Sequence, residues 1–153
     1  MHRQAQVRQA TLLDLMSIGK LAQRYADEVQ AMKNHKLCLD TFFQSIAVSI
    51  VAPTGYVSVL VVDGEVRGAF WGCLTNMPWS AITFAQDICF FVDAECRGHG
   101  VRLIRDWVRW AKAQGAAEVC LSSASGIDTV RAQRLFEKQG FTKQGEAFTK
   151  ELL

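Results

Sequence analysis

The run Gln-Asp-Ile-Cys-Phe-Phe-Val-Asp-Ala-Glu-Cys-Arg-Gly-His-Gly-Val-Arg-Leu-Ile-Arg-Asp-Trp-Val, from Gln86 to Val108, decides how the rest of the chain is read. Ile88 to Val92 is strongly apolar, the pattern of a buried strand. Asp93 to Cys96 is a short polar turn. Arg97-Gly98-His99-Gly100 then opens an amphipathic helix with Ile104, Trp107, Val108 and Ala111 on its inner face. A strand that feeds a glycine-containing turn at a helix start is suited to binding an anion. The first-turn N–H groups lack carbonyl partners, and the helix dipole adds partial positive charge there. Gly98 and Gly100 allow a ligand to approach the backbone without Cβ interference. The common phosphate patterns do not fit. A P-loop needs Lys-Ser or Lys-Thr after its second glycine, where this chain has Val101-Arg102, and a dinucleotide fingerprint needs glycine where Leu103 stands. What remains is Arg97-x-x-Gly100-x-Arg102.

Upstream of this run, Val7 to Ala10 reads as a short strand. Thr11, with Asp14 three residues on, approximates a capping box for a helix reaching about residue 29. Its apolar positions are Leu12, Leu15, Met16, Ile18, Leu21, Ala22, Tyr25, Ala26 and Val29. Asp27 to Lys36 is a polar loop. A second helix starts at Asp40 or Thr41 and ends before Pro53-Thr54-Gly55. Tyr56 to Val62 and Glu65 to Leu74 form a hairpin around Asp63-Gly64, a two-residue type I′ signal. Ala81 to Val92 is the next strand, with an irregularity expected because its alternation is imperfect.

Downstream, the helix spans Gly98 to Gln114 and Gly115 caps it. Glu118 to Ser122 is a buried strand and Ser123 to Ile127 a small-residue loop. Asp128 is an N-cap for a helix to Gln139, closed by Gly140. Phe141 to Gln144 and Ala147 to Leu152 are expected to form a terminal hairpin. The element order is therefore β-α-α-β-β-β-α-β-α-β-β. The strand ending at Val92, its helix and the strand at 118–122 make a β-α-β unit, which implies parallel pairing and a right-handed crossover.

This order, with two motifs, resembles the GCN5-related N-acetyltransferases. Val92-x-x-x-x-Arg97-Gly98-x-Gly100 is similar to the family's Gln/Arg-x-x-Gly-x-Gly/Ala signature, whose turn holds the pyrophosphate of coenzyme A. Ala132-x-x-Leu135-Phe136-Glu137-Lys138-Gln139-Gly140-Phe141 is similar to its Ala-x-x-Leu-Tyr-Glu-Lys-x-Gly-Phe. The resemblance covers nearly the whole chain as a single N-acetyltransferase domain, 1–153. The fold it implies is α/β (α+β): a mixed, twisted central sheet flanked by helices, with splayed parallel strands forming the CoA cleft.

The resemblance also implies a chemistry. Acetyl-CoA, as co-substrate, would lie where the strand ending at Val92 and the strand at 118–122 splay apart. Phe90, Phe91 and Val92 would meet the pantetheine arm, and the amides of Arg97, Gly98, His99, Gly100, Val101 and Arg102 would hold the pyrophosphate. Arg102 stands where the family has a small residue, and its guanidinium is a second candidate for a phosphate. Arg131 and Arg134 read as solvent-facing, within reach of the same phosphates. An amine attacking the thioester needs a base, and Asp87 is the first choice. Gln86 sits where many members have Glu and cannot serve. A backbone N–H near Phe91 is the expected oxyanion donor. Phe136 replaces the tyrosine that usually protonates the departing thiolate, which leaves water, Ser123 or Thr129 as donors.

Composition narrows the alternatives. The net charge of +2 is too small to make nucleic acid the main partner, so Arg102, Arg105, Arg109 and Lys112 read as a solvated helix face. No run of eighteen apolar residues is present, which argues against a membrane span. The five cysteines have no CxxC spacing and the three histidines are scattered. No metal site is expected, and reduced thiols in a cytoplasmic protein are. The expected acceptor is a small-molecule or peptide amine, and the sequence leaves room for a homodimer. The competing reading is a CoA-binding or structural domain of the same fold that is catalytically weak or inactive, favoured by Phe136 and Gln86.

Overall fold

A computed structural model of the chain describes residues 4–122 and 129–153, apart from the side chains of Gln30 and Ala31. Five strands form one sheet in the order β1-β2-β3-β4-β5: β1 Ala5–Gln9, β2 Gly55–Val62, β3 Glu65–Asn76, β4 Thr83–Val92 and β5 Val119–Cys120. The first three pairings are antiparallel, and β4 and β5 run parallel. The β2–β3 hairpin turns at Asp63 and Gly64, which hold φ of 51° and 83°, the left-handed values that a type I′ turn requires.

The helices cover both faces. On one face lie α1 Leu15–Tyr25 and α3 Leu39–Val51, with the short α2 Gln30–Asn34 between them. Ile18, Leu21, Tyr25, Phe42 and Ile46 pack there on Val57, Val59, Ala69 and Phe91. On the other face lies α4 Gly100–Ala113, whose Leu103, Trp107 and Ala111 pack on Tyr56, Leu60, Phe70, Ala85 and Val92. Trp107 is fully buried between Tyr56 and Phe70, with centroids at 5.0 and 4.9 Å. It fits because position 72 is glycine: a Cβ there would lie 2.4 Å from the Trp107 ring. Thr11 and Asp14 form a reciprocal capping box, and Asp14 also holds Arg8 through two bonds of 2.8 and 2.9 Å. No helix among the described residues is long and apolar enough to cross a membrane.

Several boundaries differ from expectation. The first helix opens as a 3-10 turn, Leu12–Asp14, and the loop before α3 contains α2. The helix expected from Gly98 begins at Gly100, because Ala94–His99 winds as a 3-10 turn. β5 is two residues long, where five were expected. The final helix, α5, spans Thr129–Lys138 and ends at Gly140 (φ 89°), while its expected cap, Asp128, lies outside the described residues. The terminal hairpin does not form: residues 141–153 contain no strand, and Phe148 is 91% exposed. A two-residue β5 offers little edge for a further strand to pair with. The stretch itself is largely polar, with a local Lys143–Glu146 pair.

Candidate active site

The expected irregularity lies within β4. Trp71 pairs with Cys89 and Gly72 with Asp87, so Ile88 is an extra residue, a β-bulge. Its effect is visible on both sides. Ala85 packs in the α4 layer, whereas Cys89 and Phe91, also odd-numbered, pack in the layer under α1 and α3. The backbone phase changes as well. Before the bulge the Ala85 N–H donates to Glu118 O beside β5; after it the Asp93 N–H donates to Arg67 O beside β3. Alternation from Asp93 directs the Phe91 peptide toward β3 and leaves the N–H and C=O groups of Phe90 and Val92 on the opposite edge.

That edge is open. β4 and β5 pair only at Ala85–Val119 and Gln86–Cys120 and then diverge. A groove of about 880 Å³ runs from the divergence, along Ile88 to Val92, to Arg97, Gly98, Gly100 and Val101. α5 forms its far wall through Arg131, Ala132, Arg134, Leu135, Phe136 and Lys138. A second cleft of about 180 Å³ shares no residue with it.

Asp87 stands at the fork. Its Oδ1 accepts from Gln86 Nε2 at 2.7 Å, and its Oδ2 accepts from the Ser122 N–H at 3.1 Å and the Ser122 hydroxyl at 3.3 Å. Burial raises the carboxyl pKa above the ordinary carboxylate value, and the Ser122 and Gln86 bonds only partly offset it. Burial, helped by the Asp87 charge, pushes the Cys89 thiol up to about 12. The thiols of Cys73 and Cys120 are raised for the same two reasons, with Glu118 also acting on Cys120. Thiols held protonated in this way are poor nucleophiles.

At the other end, the turn is pinned from behind. Asp93 is buried; its Oδ1 accepts from the Tyr25 hydroxyl and its Oδ2 from Arg24 Nη1, both at 2.8 Å. Arg67 Nε lies 2.8 Å from the same carboxylate, close but poorly aligned for a hydrogen bond. Burial opposes the charge on Asp93, yet these partners outweigh it and hold its pKa below the usual range. The Tyr25 hydroxyl in turn accepts from the Ala94 N–H at 2.8 Å. Gly98 is unlike the other glycine of the turn. A Cβ at Gly100 would touch Phe90 and Val92 at 3.4 and 3.5 Å, while one at Gly98 would meet nothing within 4 Å. The protein's own packing does not require glycine at 98.

The structure thus brings Asp87, Phe90, Phe91, Val92, Arg97, Gly98, Gly100, Val101 and Phe136 into one groove lining. His99 and Arg102 are not in it. His99 is half-buried at the N-cap position of α4 and makes no side-chain cap bond. Arg102 donates from Nη1 to the Ala5 carbonyl at 3.2 Å, so here its guanidinium serves β1 instead of the turn. The Gly100 N–H is also committed locally, to Arg97 O. Arg97 approaches Glu28 at 3.6 Å. Ser123 lies outside the described residues, and Thr129 is exposed and not in the lining. Sequence reasoning did not single out Val29, Phe42, Trp71 or Ser122, and it placed Met32 in a polar loop. On α1 and α3 a groove-facing residue has the same apolar signature as a core residue.

The chain belongs to the acetyltransferase (GNAT) family, whose family model matches residues 18–141. Members of that family use acetyl-CoA. The fold agrees with solved structures. An aminoglycoside N-acetyltransferase in complex with CoA superposes with a TM-score of 0.74 at 16% identity, over 99% of this chain and 97% of that one. A transcriptional regulator from Bacillus halodurans gives 0.77 at 18%, over 97% and 100%. A putative acetyl transferase from Pyrococcus furiosus gives 0.72 at 17%, over 97% and 100%. No curated protein matches the sequence.

Proposed function

We propose that this protein is an acetyl-CoA-dependent N-acetyltransferase, acting as one domain, that moves an acetyl group directly to a primary amine. The observation that carries the reading is the unpaired edge of β4. It begins at a half-buried carboxylate and ends at a helix-opening turn with a bare glycine. From Asp87 to Val92 the strand runs about 16 Å, at roughly 3.3 Å per residue. An extended, amide-bearing arm can pair with the Phe90 and Val92 peptides as a further strand would. The amides that remain available in the turn, with Arg97, Arg131, Arg134 and Lys138 in the lining, suit the phosphate end.

Asp87 is the base. The amine nitrogen attacks the thioester carbonyl carbon, its proton passes to the Asp87 carboxylate, and the C–S bond breaks. Phe136 has no proton to give, so the thiolate leaves unassisted or takes a proton from water. With a conjugate acid of pKa about 8.5 it is a tolerable leaving group. Peptide N–H groups on the open side of β4, at Phe90 or Val92, stabilise the oxyanion. Calorimetry with acetyl-CoA, followed by a thiol-release assay over a panel of amines, tests the reading. A CoA-binding domain without turnover is the second reading, favoured by Phe136 and by the Gln86 bond that occupies one Asp87 oxygen. Tight binding with no thiol release from any amine would select it.

A further inference from the structure

Between Asp87 and the anion turn, on the side of the sheet that α1 and α3 cover, the groove changes character. Apart from His35, its lining there is apolar: Val29, Met32, Phe42, Trp71, Ile88 and Cys89. Trp71 presents ring and not indole N–H, because Nε1 donates to Ser49 Oγ at 2.8 Å. Phe42 packs edge-on to that ring, at 5.8 Å and 90°. The Trp71–Cys89 pair is the rung next to Gly72–Asp87, so the tryptophan sits one step across the bulge from the carboxylate. Asp87 is the one carboxylate among the described lining residues, and the cationic members Arg97, Arg131, Arg134 and Lys138 belong to the turn and α5.

We infer that the acceptor is a monocationic primary amine with an aromatic or bulky apolar tail. Its ammonium is held and deprotonated at Asp87, and its tail lies on Trp71 and Met32. The inference rests on the transferase reading and deepens it. One carboxylate matches one positive charge. A polycationic acceptor would leave its further charges against the apolar wall, and burying an unpaired charge is costly. Discrimination by apolar contact alone is about 10- to 200-fold, and the charge mismatch adds to it.

The test measures two quantities for phenethylamine, spermidine and kanamycin. One is kcat/KM from thiol release with acetyl-CoA. The other is amine binding to the CoA-saturated protein by calorimetry. Phenethylamine is expected to lead by about 100-fold or more in kcat/KM. Trp71→Ala and Met32→Glu should each lower its value about tenfold through KM, with the acetyl-CoA Kd unchanged. Met32 is half-buried on a short helix, so the second variant holds if the first fails to fold. Equal or better turnover of spermidine or kanamycin overturns the acceptor inference and leaves the transferase reading standing. Phenethylamine binding that depends on Trp71, without thiol release, supports the acceptor site and removes the transferase reading. Bound CoA with neither binding nor turnover of phenethylamine overturns the acceptor inference.

Discussion

The two halves of β4 are built differently. Residues 83–87 are hydrogen-bonded on both sides, to β3 and to β5 or the residues just before it. Among the described residues, 88–92 are bonded to β3 alone. An open strand edge is a liability that folded proteins usually cover or blunt. Here no described residue pairs with it, and it lies beside a turn whose Gly98 is not explained by packing among the described residues. The bulge at Ile88 divides the halves. A one-residue slip moves every later side chain to the other face, so one residue sends Cys89 and Phe91 under α1 and α3 and turns the Phe90 and Val92 peptides to the groove.

The strongest way to break this comparison is at its dividing point. Asp87→Asn removes the proposed base and keeps the shape. It should lower kcat about 10²- to 10⁴-fold, read by thiol release, with little change in the acetyl-CoA Kd. The pH dependence has a defined sign. Burial raises the Asp87 pKa, so the ionised form that the proposed base requires is lost as pH falls through a value above the ordinary carboxylate range. Stability runs the other way. The folded state holds that proton more tightly, so ionising Asp87 costs stability as pH rises through the same window. The Asn variant should therefore be no less stable than the parent at neutral pH, as read by thermal melts.

A second test concerns the far end of the open half. Gly98→Asp adds a carboxylate at a position where a Cβ meets no described atom within 4 Å. The melting temperature should barely move. The acetyl-CoA Kd should rise about tenfold or more, equivalent to about 1.4 kcal/mol, because charge and bulk oppose a diphosphate. If affinity is unchanged, the diphosphate does not lie there and the open edge has some other use.

Tyr25→Phe probes the pin behind the turn. It removes one hydrogen bond to Asp93 and one from the Ala94 N–H. A stability loss of about 1–2 kcal/mol is expected, with acetyl-CoA affinity falling only a few-fold. Asp93 is the reverse of Asp87. Its lowered pKa contributes stability that is present above the unfolded carboxylate value and lost as pH falls through the folded one. Tyr25→Phe weakens that depression, so acid unfolding should begin at higher pH than in the parent.

The sequence carried the well-zipped parts of the molecule further than the open ones. The Asp63-Gly64 turn, the Thr11–Asp14 cap and the element order through β5 follow local rules that leave marks at fixed spacings. The imperfect alternation in β4 announced a bulge but not which residue carried it. That depends on the register against Trp71 and Gly72, a non-local fact. The terminal hairpin failed because its pattern was judged without the length of its neighbour β5. The proposed acceptor wall was legible only in part: Val29 and Phe42 lie on helix faces that periodicity assigns to the core, and Met32 fell in a stretch read as a polar loop. Tyr25 and Asp93 meet across 68 positions, which no spacing motif encodes.

The smallest expected effect sharpens the comparison most. The guanidinium of Arg102 looks from sequence like a phosphate ligand, yet it donates to the Ala5 carbonyl on β1. If the turn works through its backbone, Arg102→Ala should leave the acetyl-CoA Kd within about twofold and stability within about 0.5 kcal/mol, as for an exposed position away from the site. A tenfold loss of affinity would mean that the side chain releases Ala5 and swings to the ligand. A steeper salt dependence of binding in the parent than in the variant would accompany that loss, because a mobile surface cation is screened and a fixed amide is not. The open half of β4 would then be completed by a moving side chain, not by the groups the fold already presents.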